Sequence, residues 1–355
     1  MIAPKFLSHS TSFHAELRQR INAYFADLGT ARTGNYKLFA KALIIGLSFI
    51  LVYVHLVFFT PPYWIALLEC IVMGGLTAAI GFNIMHDGAH GSFSRRKWVN
   101  ELAGLSLNFL GANVFMWKTK HNVVHHTFTN IDGVDDDIDA RPFLRLCETQ
   151  KRYKIHRYQH LYFWAAYSLL YLYWVFFTDY EKYFTKKVGN MPLKPMSVRE
   201  HFVFWGFKIL HAGLFVVLPI YMIGFLPWLI GFVFYGMVTG FVLSMVFQLA
   251  HTVEDTHFPV AVQPENQIEA DWAIHQLQTT ANFATQNRVM TWLLGGLNFQ
   301  IEHHLFPTVS HIHYPAISKI IKQLCEEYGI RYIEFPKTRM AVASHIAHLH
   351  QMGRR

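Results

Sequence analysis

Three short histidine runs carry the chemistry available to this chain. They are His86-Asp87-Gly88-Ala89-His90, His121-Asn122-Val123-Val124-His125-His126 and Gln300-Ile301-Glu302-His303-His304. Residues four apart on a helix share a face, so His86 with His90, and His121 with His125, have the spacing of paired ligands to one metal. His126 projects about 100° beyond His125 and is expected to reach a second metal. Gln300 stands three and four residues ahead of His303 and His304, and His251 closes a long apolar run further back in the chain. One such pair is common on helices, but neutral imidazoles are costly to bury in number without partners.

Ligand type and count select the metal. His86, His90, His121, His125, His126, His251, His303 and His304, with Gln300, exceed the three protein ligands of a catalytic zinc. They would give two metals about four protein ligands each and leave open positions. Nitrogen-rich sites of that kind suit iron and dioxygen chemistry, so two iron ions are expected, with dioxygen as co-substrate. Zinc could occupy the same ligands in a purified sample. Asp87 and Glu302 are placed to orient ligand imidazoles by accepting their second N–H. Glu254 and Asp255, just after His251, are weaker candidates for the same duty. Asp135, Asp136 and Asp137 read equally well as a solvated loop. His311 and His313 follow the third run closely enough for a role near the site, whereas His345, His348 and His350 are expected on a solvated helix face.

These groups must be brought to one place. Four apolar runs, 42–60, 63–84, 202–223 and 226–250, are long enough to span a bilayer, which takes roughly 20 helical residues. Pro61-Pro62 and Gly224-Phe225 join them in pairs, and Arg32, Lys37, Lys41, Arg95, Arg96, Lys97 and Arg199 flank the opposite ends. The positive-inside bias then puts both termini, the large loops and the histidines on the cytosolic side. Two further apolar stretches, 102–117 and 161–178, are read as interfacial or re-entrant. If either crossed alone, the histidine runs on its two sides would face opposite compartments.

Composition agrees. Of 355 residues only 15% are charged, while 52% are hydrophobic and 16% aromatic. A soluble domain has about a quarter charged residues, so much of this surface is expected to meet lipid. Cys70, Cys147 and Cys325 form no CxxC pair and are too few for an iron–sulfur cluster or a disulfide framework. The net charge of +8 fits cytosolic loops, and could also attract lipid headgroups, a phosphate-bearing substrate or an acidic electron-transfer protein. No nucleic-acid partner is expected. The N-terminal residues lack the basic-then-apolar order of a secretory signal. No linker divides the chain, so residues 1–355 are read as a single domain.

The three runs, with Asn298-Phe299-Gln300-Ile301-Glu302-His303-His304-Leu305-Phe306-Pro307, resemble the histidine boxes of membrane fatty acid desaturases. Glutamine in place of the third box's first histidine resembles the front-end group, which inserts a double bond between an existing one and the carboxyl end. Leu249-Ala250-His251, Thr279-Thr280-Ala281-Asn282-Phe283 and His311-Ile312-His313-Tyr314-Pro315 extend the likeness over nearly the whole length, closest to bacterial and cyanobacterial delta-6 enzymes, including those called linoleoyl-CoA desaturases. The resemblance implies an all-α integral membrane fold of four transmembrane helices and interfacial helices, with a cytosolic helical cap carrying a di-iron site. His86, His90, His121, His125, His126, His303 and His304 would be iron ligands. Gln300 stands at a ligand or near-ligand position, and His251 matches a histidine on the family's fourth span. The expected substrate is an acyl-lipid or acyl-CoA, with delta-6 regiochemistry favoured over delta-5, in a bacterial inner membrane. No fused cytochrome b5 domain is recognised, so electrons are expected from a separate ferredoxin or cytochrome b5.

Two rivals share or replace this scaffold. A membrane hydroxylase, or a desaturase of sphingolipid or carotenoid, would use the same boxes. A metal transporter would need ionisable groups spread through the bilayer depth, whereas the spans carry isolated ones, among them His55, His211 and Glu69.

Overall fold

The computed structural model describes residues 4–6 and 12–355. The reading that a secretory signal is lacking, and the first residues of the single domain, rest partly on residues 1–3 and 7–11, which lie outside them. The chain folds as an all-α membrane protein. Among the described residues four helices are long and apolar enough to cross a bilayer: Tyr36–Phe59, Tyr63–His90, Val198–Ile223 and Phe225–His251. Each coincides with an expected run, and the second and fourth continue past it to end on His90 and His251. The histidines at those two ends are therefore carried on the spans themselves.

Local chemistry sets the helix ends. Asn35 caps the first span by accepting from the Lys37 N–H at 3.0 Å, as short polar side chains do at N-termini. Ser197 and Glu200 cap the third reciprocally. The second span stops at Gly91, whose φ of +75° is a left-handed conformation that glycine adopts without strain. The Ser92 N–H closes that turn onto the Asp87 carbonyl at 2.8 Å. Three residues earlier Gly88 lets the helix Lys97–Phe109 approach, since a Cβ there would stand 2.6 Å from the Ala103 Cβ.

The two ambiguous stretches do not form straight spans. Residues 102–117 are split between Lys97–Phe109 and Val114–Lys118 by a turn at Gly111. The second stretch lies in Lys154–Ser168 and Leu170–Thr185, which meet at a 52° bend. A buried ion pair holds this bent segment to the third span. The Lys208 ammonium donates to Asp179 at 3.1 Å and to the carbonyls of Gly111 (2.7 Å) and Val175 (3.2 Å). Lys208→Met would strand the Asp179 carboxylate, and removing one partner of a buried pair costs about 3–5 kcal/mol. Thermal unfolding in detergent should show that loss, with much of it recovered in Lys208→Met/Asp179→Asn.

A helical cap closes one end of the membrane layer. Phe13, Leu17, Ile21 and Phe25 recur every fourth residue along Ser12–Leu28 and pack on Ile301, Leu305, Ile317, Ile321 and Leu324. This apolar core fixes Gln300–Leu305, the helix of the third histidine run, against Tyr314–Glu327. The last helix, Thr338–Arg354, corrects an expectation. His345 and His348 are buried rather than solvated. The end of this helix is wedged under the bent segment, where the carbonyls of Leu349, Met352 and Gly353 accept from Gln159, Arg145 and Arg152. His345 Nδ1 meets the Thr252 carbonyl at 2.7 Å and its Nε2 meets the Tyr167 hydroxyl at 2.9 Å. It thereby braces the chain one residue beyond His251.

Candidate metal centre

All eight histidines converge at the junction of spans and cap. His86, His90, His121 and His303 form one group, and His125, His251 and His304 a second. In each, one nitrogen per residue lies within 4.8 Å of the others. A nitrogen ligand sits about 2.1 Å from its metal, so opposite ligands stand about 4.2 Å apart, and only a slight inward movement separates these groups from coordination. His126 lies between them, its ring 4.5 Å from His303 and 4.4 Å from His304. Gln300 is buried at the start of the third-run helix, one turn before His303 and His304.

The second run joins the two groups. His121 and His125 stand together with Asp137 in a further group, while His121 also joins His86, His90 and His303 and His125 also joins His251 and His304. His121 comes within 3.3 Å of His126, Nε2 to Nε2. Thr119–His125 is a π-helical turn, and its i to i+5 bonding brings residues five apart onto one face. A second π turn, Gly81–Met85, immediately precedes His86.

Hydrogen bonds aim the free nitrogens. His125 donates from Nδ1 to Asp135 (2.9 Å), His251 to the Thr279 carbonyl (3.2 Å) and His304 to Gln276 Oε1 (2.8 Å). None of these acceptors can donate, so each ring carries its proton on Nδ1 and offers an Nε2 lone pair. Those three Nε2 atoms, and that of His303, are buried and have no hydrogen-bond partner among the described residues. His303 Nδ1 meets the Tyr314 hydroxyl at 3.1 Å. Three buried lone pairs without donors, beside a fourth unpartnered ring nitrogen on His303, would be costly, and a metal cation answers that deficit. Burial holds His121, His126, His303 and His304 below the ordinary imidazole range, His121 at about 3, so they are neutral and competent to ligate. Burial also pulls His125 down, but Asp135 and Asp137 together more than offset it and the net shift is upward.

The carboxylates sort differently from the sequence reading. Asp135, which could have been loop, is buried and fixes His125, and Asp137 Oδ2 stands 3.5 Å from His121 Nδ1. Lys120 and Lys182 bind Asp136, and Lys120 also binds Asp137. Asp87 lies 4.0 Å from His86 Nδ1, but its closer partners are Ser310 (2.7 Å) and His311 Nδ1 (3.0 Å). His311 in turn meets the buried Lys41 ammonium at 3.3 Å. Glu302 does not orient an imidazole. It accepts from Asn282 and Tyr332, each at 2.7 Å, because its side chain leaves the helix on the face turned to the cap. Burial pushes its carboxyl up to about 7. Glu254 is exposed, and Asp255 pairs with Arg331 at 2.7 Å. Both lie past the kink at Thr252 and face outward. Gln276 holds a ligand-type histidine without having been singled out, since an amide acceptor carries no distinctive spacing, and Thr279 and Tyr314, named above only within longer motifs, hold two more.

Comparison with known proteins follows the same lines. A family model described as fatty acid desaturase matches residues 62–336. The sn-1 linoleoyl-lipid 6-desaturase of Synechocystis sp. is 36% identical over 343 residues, covering 96% of each chain. The protein of that name from Arthrospira platensis is 35% identical, covering 97% of this chain and 93% of its own. An acyl-lipid (8-3)-desaturase of Physcomitrium patens is 34% identical over 98% of this chain and 72% of its own.

Proposed function

Because this chain belongs to the fatty acid desaturase family of membrane oxidoreductases, we propose that it is a di-iron front-end acyl-lipid desaturase that introduces a cis double bond at the delta-6 position. The supporting observation is the convergence of eight imidazoles into two facing groups, in a chain similar end to end to linoleoyl-lipid 6-desaturases. A relative from Dictyostelium discoideum named Delta(5) fatty acid desaturase A, 28% identical over 99% of this chain, supports delta-5 as the second reading.

His86, His90, His121 and His303 would hold one iron, and His125, His251 and His304 the other, with His126 and Gln300 completing the sets. Bound there, iron supplies what no side chain has, the use of dioxygen to take hydrogen from unactivated methylenes. The net reaction converts –CH2–CH2–, O2, two electrons and two protons into –CH=CH– and two waters. The protein's part is placement and exclusion. Asp135, Gln276 and the Thr279 carbonyl lock the tautomers, and the cap keeps bulk water away. Asp135→Asn should keep the shape but lose the anion, lowering metal affinity and activity about 10- to 100-fold, as read by chelator competition.

The electrons are assigned to a separate carrier of the ferredoxin or cytochrome b5 type, and the site to the cytosolic face of a bacterial inner membrane, an orientation that the basic flanks of the spans support. The test is gas chromatography–mass spectrometry of fatty acids from bacteria expressing the chain and fed linoleate, with double bonds located by derivatisation. A delta-6 triene supports the reading, a delta-5 product selects the second, and a hydroxylated acid would replace desaturase by hydroxylase.

A further inference from the structure

Phe247 occupies a place that the metal groups do not explain. It lies one helical turn before His251 on the fourth span, and its ring centroid is 4.7 Å from that of His251 and 5.1 Å from that of His125. Its neighbours Val246, Gln248, Leu249, Ala250 and His251 are all buried, whereas Phe247 is only half-buried. Val246 and Leu249 pack into an apolar cluster with Phe82, Phe283 and Leu297. Phe247 belongs to none of the apolar clusters, and its aromatic contacts are with these two imidazoles.

An apolar ring beside unpartnered nitrogens cannot satisfy them. His125 Nε2 and His251 Nε2 lack hydrogen-bond partners among the described residues, and Phe247 offers neither donor nor lone pair. It offers an incompletely covered apolar surface next to the reacting centre, and an acyl chain is the apolar partner the reaction requires. We propose that Phe247 contacts the acyl methylenes beside the reacting carbons and helps determine which carbon–carbon bond is desaturated. This rests on the desaturase reading above. A flat ring fixed to a membrane helix gives the chain a wall on one side, and shrinking it lets the chain shift or bend toward the fourth span. Misplacement by about 1 Å at a reacting centre can cost about 100-fold, so the position of the wall matters more than its bulk.

The experiment compares wild type, Phe247→Leu and Phe247→Ala in linoleate-fed cells, with double-bond positions mapped and the iron content and melting temperature of each purified protein measured. The expected result is a second positional isomer in the variants, stronger in Phe247→Ala, and turnover at the original position reduced up to about 100-fold, with iron and melting temperature kept. An unchanged isomer ratio in a variant that keeps its iron overturns the inference. So does a loss of activity that tracks iron loss at a constant isomer ratio, which would make Phe247 packing for the ligands only. Should Phe247→Ala fail to fold, Phe247→Leu is judged by the same criteria. Wild type yielding no desaturated product would instead overturn the reading on which the inference stands.

Discussion

His304→Ala should abolish the unsaturated product, a loss greater than the roughly 100-fold ceiling for outer-shell changes, and strip iron preferentially from one of the two groups. His304 stands with His125 and His251, and again with His126 and His303, so no other single side chain of the third run serves the second group as directly. Its Nδ1 is committed to Gln276, and its Nε2 is buried without a partner. Alanine removes the lone pair and leaves a void that water can enter only by taking the ligand's place. The remaining groups of the first set, His86, His90 and His121, do not touch His304 and should keep their metal. The control is His257→Ala, an exposed histidine near His251 in sequence, which should retain full product. Full activity in His304→Ala with unchanged iron would sink the assignment of this histidine as a ligand.

The parts of this architecture that follow from periodicity were readable without coordinates. Apolar runs of bilayer length and the flanking Arg and Lys residues identify the four spans, and the i, i+4 spacing of His86 and His90 survives because that stretch is ordinary helix. The second run shows where spacing stops being enough. The π turn at Thr119–His125 sets His121 beside His126 as well as His125, and nothing in the local sequence marks a change from i+4 to i+5 bonding. Side chains that act through tertiary contacts were equally hidden. His345 looks like a surface residue on a mildly amphipathic helix, yet that helix is buried by Arg145 and Gln159, nearly two hundred residues earlier. Glu302 and Asp255 illustrate the converse. Proximity to a ligand in sequence put them near the site, and the direction in which each side chain leaves the backbone took them away from it.

The same logic explains why the network around the second run is rich in charge. Asp135, Asp136 and Asp137 read equally well as a solvated loop or as partners of the ligands, and three consecutive carboxylates repel unless countered. Lys120 and Lys182 counter them, and Lys182 comes from the bent segment Leu170–Thr185. The bent segment is thus tied to the third span by Lys208 with Asp179, and to Lys120, just before the second run, by Lys182 through Asp136. A shift of that segment would be felt at His121 and His125 through their carboxylate partners. The ion pairs therefore link the packing of the membrane layer to the geometry of the candidate metal centre.

Zinc exchange should separate binding from chemistry most sharply. The imidazole set binds zinc at least as well as ferrous iron, since affinity for nitrogen ligands rises toward the end of the divalent series. Zinc has no accessible redox change. Protein stripped with chelator and reloaded with zinc is therefore expected to keep its helical content, with a melting temperature close to that of the iron form, because the buried, unpartnered Nε2 atoms of His125, His251, His303 and His304 are again satisfied. Its desaturase activity should fall to background even with dioxygen and an electron donor in excess. The stripped protein should melt lower than either loaded form, since a ligand that binds only the folded state stabilises it by mass action. Anaerobic reloading with ferrous iron should restore turnover. Zinc-loaded protein that desaturates at the iron rate would remove the redox role from these histidines and leave them as structural ligands. Iron-loaded protein that recovers its melting temperature but not its activity would place the fault in the electron donor or the substrate, because folding and metal binding would both have been regained.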